Sequence, residues 1–171
     1  MTHDANVEIK KSNETFLEQC QLEAVKLGVF LNEHLPLARA AEVRVDSYTG
    51  EKLIASAPLD KNINDKGTAF GGSLYNLCVI AGWGMAHLKA KELSLSGDIV
   101  VAKGEINYLS PLTERLVAVA STPSDEKIAK AKHGYLSRGK AIFNIDVSIQ
   151  DNNKKDCVLF HGKYAVISAV S

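Results

Sequence analysis

The sequence is poor in cysteine, proline and aromatic residues, and its charges cancel. Its 171 residues include 3 cysteines, 4 prolines and 6% aromatic residues, with 20 basic and 20 acidic side chains. Cys20, Cys78 and Cys157 form no CxxC motif in a chain too large to need disulfide staples, which favours a reducing compartment. A net charge of zero provides no field that would attract nucleic acid or an anionic membrane. We therefore expect neither as a partner.

Long apolar runs and the common catalytic motifs are also missing. The longest apolar run, residues 77–88, is too short to span a bilayer, and the polar, acidic N-terminus does not resemble a signal peptide. Ser73 lacks the closing glycine of a G-x-S-x-G elbow, and no phosphate-binding loop, dinucleotide fingerprint or HExxH motif is found. The histidines show no ligand spacing. These absences predict a cytoplasmic protein without a metal or cofactor.

What remains is enough apolar sequence for one well-packed domain over residues 1–171. Hydrophobic residues make up 46% of the chain, and a chain of this length buries about 70% of its unfolded surface. An apolar stripe predicts an amphipathic helix over residues 13–35, with Thr15 and Glu18 as its capping box and Pro36 at its end. We expect this helix to cover the sheet; the alternative is that it caps a site.

Residue patterns over 37–168 predict an α+β fold. Strand-like alternation begins at residues 42–46, and a turn leads to a second strand. Residues 73–93 have helical length and are apolar on nearly every side, so this helix must be surrounded by protein. Four more strands follow, with a helix from Ser124 to a C-cap at Gly134 between the second and third. These elements favour an antiparallel sheet curved around the apolar helix, whose edge suits a sheet-to-sheet dimer.

The loop before the apolar helix, NINDKGTAFGGS at residues 62–73, is the most informative segment. Its glycines allow positive φ and close approach by a ligand, and a helix beginning near Ser73 offers unpaired N–H groups at its positive end. Such donors can hold a thioester oxygen as it becomes an oxyanion. The alternative is a purely structural role, in which Gly71 and Gly72 allow a buried helix to enter the core and Thr68 or Ser73 is its N-cap.

The segment PLDKNINDKGTAFGGSLYNLCVIAGWGMAHLK resembles the signature of the thioesterase domain that follows a GNAT acetyltransferase domain in many bacteria, a branch of the HotDog superfamily. The order of elements from about Leu35 to Ser168 fits the same family. No acetyltransferase sequence precedes it here, so we expect a stand-alone version. The resemblance implies the HotDog fold, a curved antiparallel sheet wrapped around a central helix, and a homodimer, with assembly into a tetramer left open.

The same resemblance implies roles for individual residues. Gly71 is the oxyanion donor, and Asn64 matches a loop asparagine that places water. By its place in the sequence rather than by the resemblance, Asp65 beside Asn64 is the nearest carboxylate to serve as base; the alternative is a solvated turn residue. Phe70 stands where related enzymes have histidine in a His-Gly-Gly motif. The implied substrate-binding residues are Thr68, Phe70, Gly72 and Ser73 near the thioester, and Arg138, Gly139 and Lys140 near the phosphates of coenzyme A. The planar fork of arginine suits such phosphates.

One departure from the family pattern leaves the activity open. Many related enzymes have Asp or Glu about two and a half turns into the central helix, where this chain has Val79; Cys78 and His87 are expected in the core. Hydrolysis needs a group that activates water. The sequence therefore predicts a thioesterase acting on acyl-CoA or acyl-carrier protein and, as the alternative, a non-catalytic module that binds these thioesters. A HotDog dehydratase is a less favoured third alternative, because that chemistry usually pairs a loop histidine with a helix acid and this segment has neither.

Overall fold

A computed structural model describes the backbone of residues 2–168 and the side chains of residues 13–168. The elements in chain order are α1 (Thr2–His34), α2 (Pro36–Ala40), β1 (Arg44–Tyr48), β2 (Lys52–Ala57), α3 (Gly71–Glu92), β3 (Asp98–Tyr108), β4 (Leu116–Ser121), α4 (Asp125–Arg138), β5 (Lys140–Gln150) and β6 (Asp156–Ile167). The six strands form one antiparallel sheet in the order β1-β2-β4-β5-β6-β3.

Helix α3 lies across this sheet and contacts β2, β3, β4, β5 and β6. Strand β5 shows why the two pack together, since Phe143, Ile145 and Val147 alternate with more exposed residues and are buried. The predicted sheet around an apolar helix is therefore confirmed. No helix within residues 2–168 is both long enough and apolar enough to cross a membrane.

Glycines let α3 approach its neighbours closely. A Cβ atom at Gly82 would overlap the hydroxyl of Tyr164, a fully buried residue of β6 that donates a hydrogen bond to the Val79 carbonyl at 3.0 Å. At Gly84 a Cβ would lie 2.8 Å from Leu53 and 3.0 Å from Leu27. The glycines of the predicted helix thus provide the space for a large buried tyrosine and for α1.

The predicted bounds of the first helix are wrong at its N-terminal end. Helix α1 begins at Thr2 rather than residue 13, so Thr15 lies inside the helix and is not its N-cap. Residues 2–12 contain neither glycine nor proline, so nothing in them ends a helix. Pro36 marks the other end as predicted, because it occupies the first turn of α2. Helix α1 packs against β1 and α3, as expected of a covering helix.

Two other helix ends also differ from prediction. Helix α3 begins at Gly71, and its N-cap is Phe70, without a side-chain cap from Thr68 or Ser73. Helix α4 continues through the buried Gly134 and ends at Arg138. Its C-cap is Gly139, which has φ of +66° and donates its N–H to the Tyr135 carbonyl. Of the two glycines Gly134 and Gly139, it is Gly139 that has the left-handed conformation of a C-cap.

Candidate active site at the N-terminus of the central helix

The loop before α3 is a closed hairpin-like segment. The Asn62 carbonyl accepts the Phe70 N–H at 2.7 Å, and Asn64 donates its own N–H to the Thr68 carbonyl at 2.8 Å. The side chain of Asn62 is buried and donates to the carbonyls of Ala41 at 3.0 Å and Pro58 at 2.8 Å. Asn62 therefore anchors the loop to the protein body.

The Asn64 side chain holds the tip of the same loop. Its oxygen accepts the N–H groups of Lys66 at 2.8 Å and Thr68 at 3.2 Å, and its amide donates to the Thr68 hydroxyl at 2.8 Å. An asparagine amide has two hydrogens, so one remains for a ligand or water. Asp65 is exposed and forms an ion pair with Lys66 at 3.0 Å.

The first turn of α3 presents backbone donors. Its first helical hydrogen bond runs from the Leu74 N–H to the Phe70 carbonyl at 3.0 Å, so the N–H groups of Gly71, Gly72 and Ser73 precede the hydrogen-bonded ladder. The exposed Phe70 ring lies against Gly72, where a Cβ atom would overlap it. A helix N-terminus with free N–H groups favours negative charge.

A cleft of about 300 Å³ opens beside this turn. Thr68 and Gly71 line it on one side, and Tyr108 to Leu112 line it on the other. The Tyr108 hydroxyl donates to the Gly71 carbonyl at 2.9 Å, and partial burial raises the pKa of that hydroxyl above its usual range. Thr68 and Gly71 thus line the same cleft, whereas Asn64 contacts Thr68 from the loop and is not among the residues that line it.

Three residues farther along α3 bear on the predicted site. Val79, at the position where the resemblance implies a carboxylate, is half-buried. Cys78 is fully buried, and burial raises the pKa of its thiol to about 12. His87 stacks on Trp83 with ring centroids 5.2 Å apart. Among residues 13–168, no three His, Cys, Asp or Glu side chains could together hold a metal ion.

The predicted phosphate contacts lie in a different depression. Arg138 and Lys140 line a basic groove of about 400 Å³ between α4 and the strands β5 and β6. The other residues of this basic groove are Lys127, Lys130, Ala131, Gly134, Ile142, Asn144 and Lys163. It contains five cationic side chains and no carboxylate, so it has the chemistry of a polyanion site. Gly139 lies between Arg138 and Lys140 as the C-cap of α4.

The cleft and the basic groove lie at opposite ends of the sheet. Lys140 and Asp98 both face Ile167, whereas Tyr108 faces Val158 at the other end of β6. Strand β3 is 11 residues long, which corresponds to about 35 Å at the rise of an extended strand. The structure therefore does not unite the two predicted groups of site residues within one protomer.

Sequence reasoning missed two residues of these surfaces. Tyr108 belongs to the segment that leads into Ser110-Pro111, but the structure makes it a lining residue of the cleft and places its hydroxyl 2.9 Å from the Gly71 carbonyl. Lys163 of β6 joins the basic groove because it is the strand partner of Asn144 on the neighbouring strand β5. Neither position has a local sequence signal, because Tyr108 depends on the packing of α3 against β3 and Lys163 depends on strand pairing.

The chain is similar to known proteins over most of its length. Residues 24–168 match the family described as "Putative thioesterase (yiiD_Cterm)". A protein of unknown function from Chlorobaculum tepidum TLS is 36% identical, with a TM-score of 0.81 over 85% of this chain and 94% of that one. A protein described as a putative thioesterase from Shewanella oneidensis is 31% identical, with a TM-score of 0.76 over 85% of this chain and 98% of that one.

A more distant structure supports the fold. A thioesterase from Haemophilus influenzae is 15% identical, with a TM-score of 0.66 over 86% of this chain and 92% of that one. The family match over residues 24–168 includes the loop, the central helix and all six strands. The chain has the HotDog fold and belongs to the thioesterase family that its residues 24–168 match.

Proposed function

We propose that the protein hydrolyses acyl thioesters in the cleft at the N-terminus of α3. The observation that supports this most directly is the row of N–H groups at Gly71, Gly72 and Ser73 beside an open cleft. Membership of a thioesterase family supports the reaction class. The thioester carbonyl would lie against this turn, near Thr68 and Phe70.

In the proposed reaction, water attacks the thioester carbon and the carbonyl oxygen becomes an oxyanion. The Gly71 N–H, together with the Gly72 N–H beside it in the same turn, stabilises that charge more strongly in the transition state than in the bound substrate. The free amide hydrogen of Asn64 orients the water, and Asp65 accepts its proton. The oxyanion then re-forms the carbonyl as the C–S bond breaks, and the leaving thiolate takes the proton from Asp65. The products are a carboxylic acid and a thiol.

We further propose that two protomers build each site by pairing their β3 strands. Within residues 2–168, β3 lies at the end of the sheet and pairs only with β6, and it exposes Val100 and Val101. Antiparallel pairing across a twofold axis would set the start of one β3 beside the end of the other. The basic groove of one protomer would then lie at the same end as the cleft of its partner.

This arrangement favours coenzyme A as the carrier of the acyl group. The basic groove would receive the phosphates from Arg138, Lys140 and the nearby lysines, while the acyl end enters the partner's cleft. A groove with five cations and no carboxylate suits a small, highly charged nucleotide. The substrate class proposed here is therefore an acyl-CoA of unspecified chain length.

A non-catalytic thioester-binding module is the second candidate. Val79 favours it, because α3 has no carboxylate from Gly71 to Lys91. Such a module would be stabilised by acyl-CoA without releasing thiol. The two candidates share the same cleft and differ in turnover.

Gly71 offers a sharp test of the proposed reaction. Gly71→Ala adds a Cβ atom that meets the Tyr108 ring at 3.6 Å, an ordinary contact, and keeps the N–H. Gly71→Pro removes the N–H at the first helical position, where proline is tolerated, and Phe70 already has the extended conformation that precedes proline, with φ −68° and ψ 132°. We expect Gly71→Pro to lower kcat about 100-fold, and Gly71→Ala to stay near the wild type.

The measurement is thiol release from a chain-length series of acyl-CoAs, with subtraction of the signal from the protein's own cysteines. Equal losses in the two variants would mean that bulk at residue 71 matters and the N–H does not. Binding of acyl-CoA by the wild type without thiol release would favour the non-catalytic module.

A further inference from the structure

Tyr108 contacts the one part of α3 that the proposed reaction depends on. It is the last residue of β3, and its hydroxyl donates to the Gly71 carbonyl at 2.9 Å. Its ring lies 3.6 Å from the position that a Gly71 Cβ atom would occupy. Tyr108 is thus in contact with the peptide unit that joins Gly71 to Gly72.

The N-terminus of α3 has few other attachments. Its N-cap Phe70 makes no side-chain cap hydrogen bond, and the first turn contains no acidic residue. The loop holds it through the bond from the Phe70 N–H to Asn62, and Ala69 donates to the Leu112 carbonyl at 2.7 Å. Both hydrogen bonds precede Gly71, whereas the Tyr108 hydroxyl bonds to the peptide that follows it.

Donation to a peptide carbonyl has an electronic effect as well as a geometric one. A hydrogen bond to the Gly71 oxygen polarises the Gly71–Gly72 peptide and makes the Gly72 N–H a stronger donor. A tyrosine hydroxyl is protonated at neutral pH, and the raised pKa of Tyr108 acts in the same direction, so the hydroxyl is a donor. Donor alignment matters most where charge develops in the transition state.

We infer that Tyr108 is a positioning residue for thioester hydrolysis, acting through the Gly71–Gly72 peptide; this rests on the proposed function. The hydroxyl sets the orientation of the first turn of α3, and that turn holds the oxyanion. Tyr108 itself takes no proton from the substrate or the water. Because Tyr108 is the last residue of β3, it connects the strand at the end of the sheet to the first turn of α3.

The test is Tyr108→Phe, which removes only the hydroxyl. We expect kcat to fall about tenfold with KM within twofold of the wild type, because the lost interaction acts in the transition state. The matched control is Tyr135→Phe, which removes a hydroxyl that also donates to a backbone carbonyl, that of Ser96, outside both the cleft and the basic groove. We expect the control to keep the wild-type kcat.

A second readout does not depend on turnover. In protein labelled with 15N-glycine, Tyr108→Phe should shift the amide resonance of Gly72, and Tyr135→Phe should leave it in place. An unchanged kcat in Tyr108→Phe, or a raised KM with unchanged kcat, would overturn the inference by making Tyr108 a wall of the cleft. An inactive wild type would instead overturn the proposed function, and the positioning role with it.

Discussion

His87 shows how one residue links the packing of α3 to pH. Its ring is half-buried and stacks on Trp83 and Phe30, with centroid distances of 5.2 Å and 6.3 Å. Burial lowers the pKa of His87, the positive charge of Lys91 lowers it further, and Glu23 opposes both effects. Glu23 is itself paired with Lys91 and Lys26. The folded protein therefore favours the neutral ring.

This pKa shift predicts a loss of stability in acid. An unfolded histidine titrates near pH 6.5, so the contribution of His87 is complete above about that pH and is lost as the pH falls through the lower folded-state pKa. Replacing His87 with Phe keeps an aromatic ring and removes the titration. We expect the melting temperature of His87→Phe, relative to the wild type, to rise steadily between about pH 7 and pH 5.

Thermal unfolding followed by circular dichroism across this range measures the effect. The matched control is His133→Phe, which replaces an exposed histidine on α4. If both variants keep a constant difference from the wild type, the packing of His87 has no pH-dependent consequence.

At the scale of elements, the two long helices use glycine for different reasons. In α3, a Cβ atom at Gly82 would overlap the Tyr164 hydroxyl, and both residues are buried. In α1, a Cβ atom at Gly28 would lie 3.7 Å from Val45, an ordinary contact. Neither glycine has positive φ. The first is therefore required by packing and the second is not.

Alanine substitution separates these two cases. We expect Gly82→Ala to lower the free energy of unfolding by about 2 kcal/mol, the usual cost of adding a methyl group to a filled core. We expect Gly28→Ala to raise it by about 0.5 kcal/mol, because alanine is the better helix former. Urea denaturation of both variants is the measurement. A neutral Gly82→Ala would mean that Tyr164 can move out of its place beside α3.

Element types could be predicted from the sequence far better than element ends. Alternation identified the strands, and the apolar content of residues 73–93 identified the buried helix, because both patterns record which faces meet the core. The ends were harder to predict. Helix α3 starts at Gly71, and its N-cap Phe70 provides no side-chain cap. Two glycines near the end of α4, Gly134 and Gly139, match the same C-cap signal. Local sequence does not distinguish between them.

For the whole molecule, a site shared between protomers makes a prediction that a site within one protomer does not. Gly71→Pro disables the cleft, and Arg138→Glu with Lys140→Glu disables the basic groove. In a dimer with one subunit of each kind, the shared arrangement leaves one site with an intact cleft and an intact groove. Half of the dimers in an equal mixture have this composition, so about one quarter of the wild-type activity should return.

The experiment is refolding or co-expression of the two inactive variants, followed by thiol-release assays of the mixture and of each variant alone. A mixture no more active than its components would place both halves of the site within one protomer. Size-exclusion chromatography of Val101→Asp provides an independent check. An added charge on the β3 edge should shift the protein towards the monomer.

The sequence by itself determined which segments are strands, which helix is buried, and that backbone donors begin α3. These properties are local, because they follow from side-chain period, glycine placement and the residues within one turn. The tertiary structure alone decided that Tyr108 touches Gly71 and that Arg138 and Lys140 lie at the far end of the sheet. The packing of α3 against β3 set the first relation and strand pairing through β6 set the second. Both join residues that are distant in sequence, and no local pattern specifies the strand register.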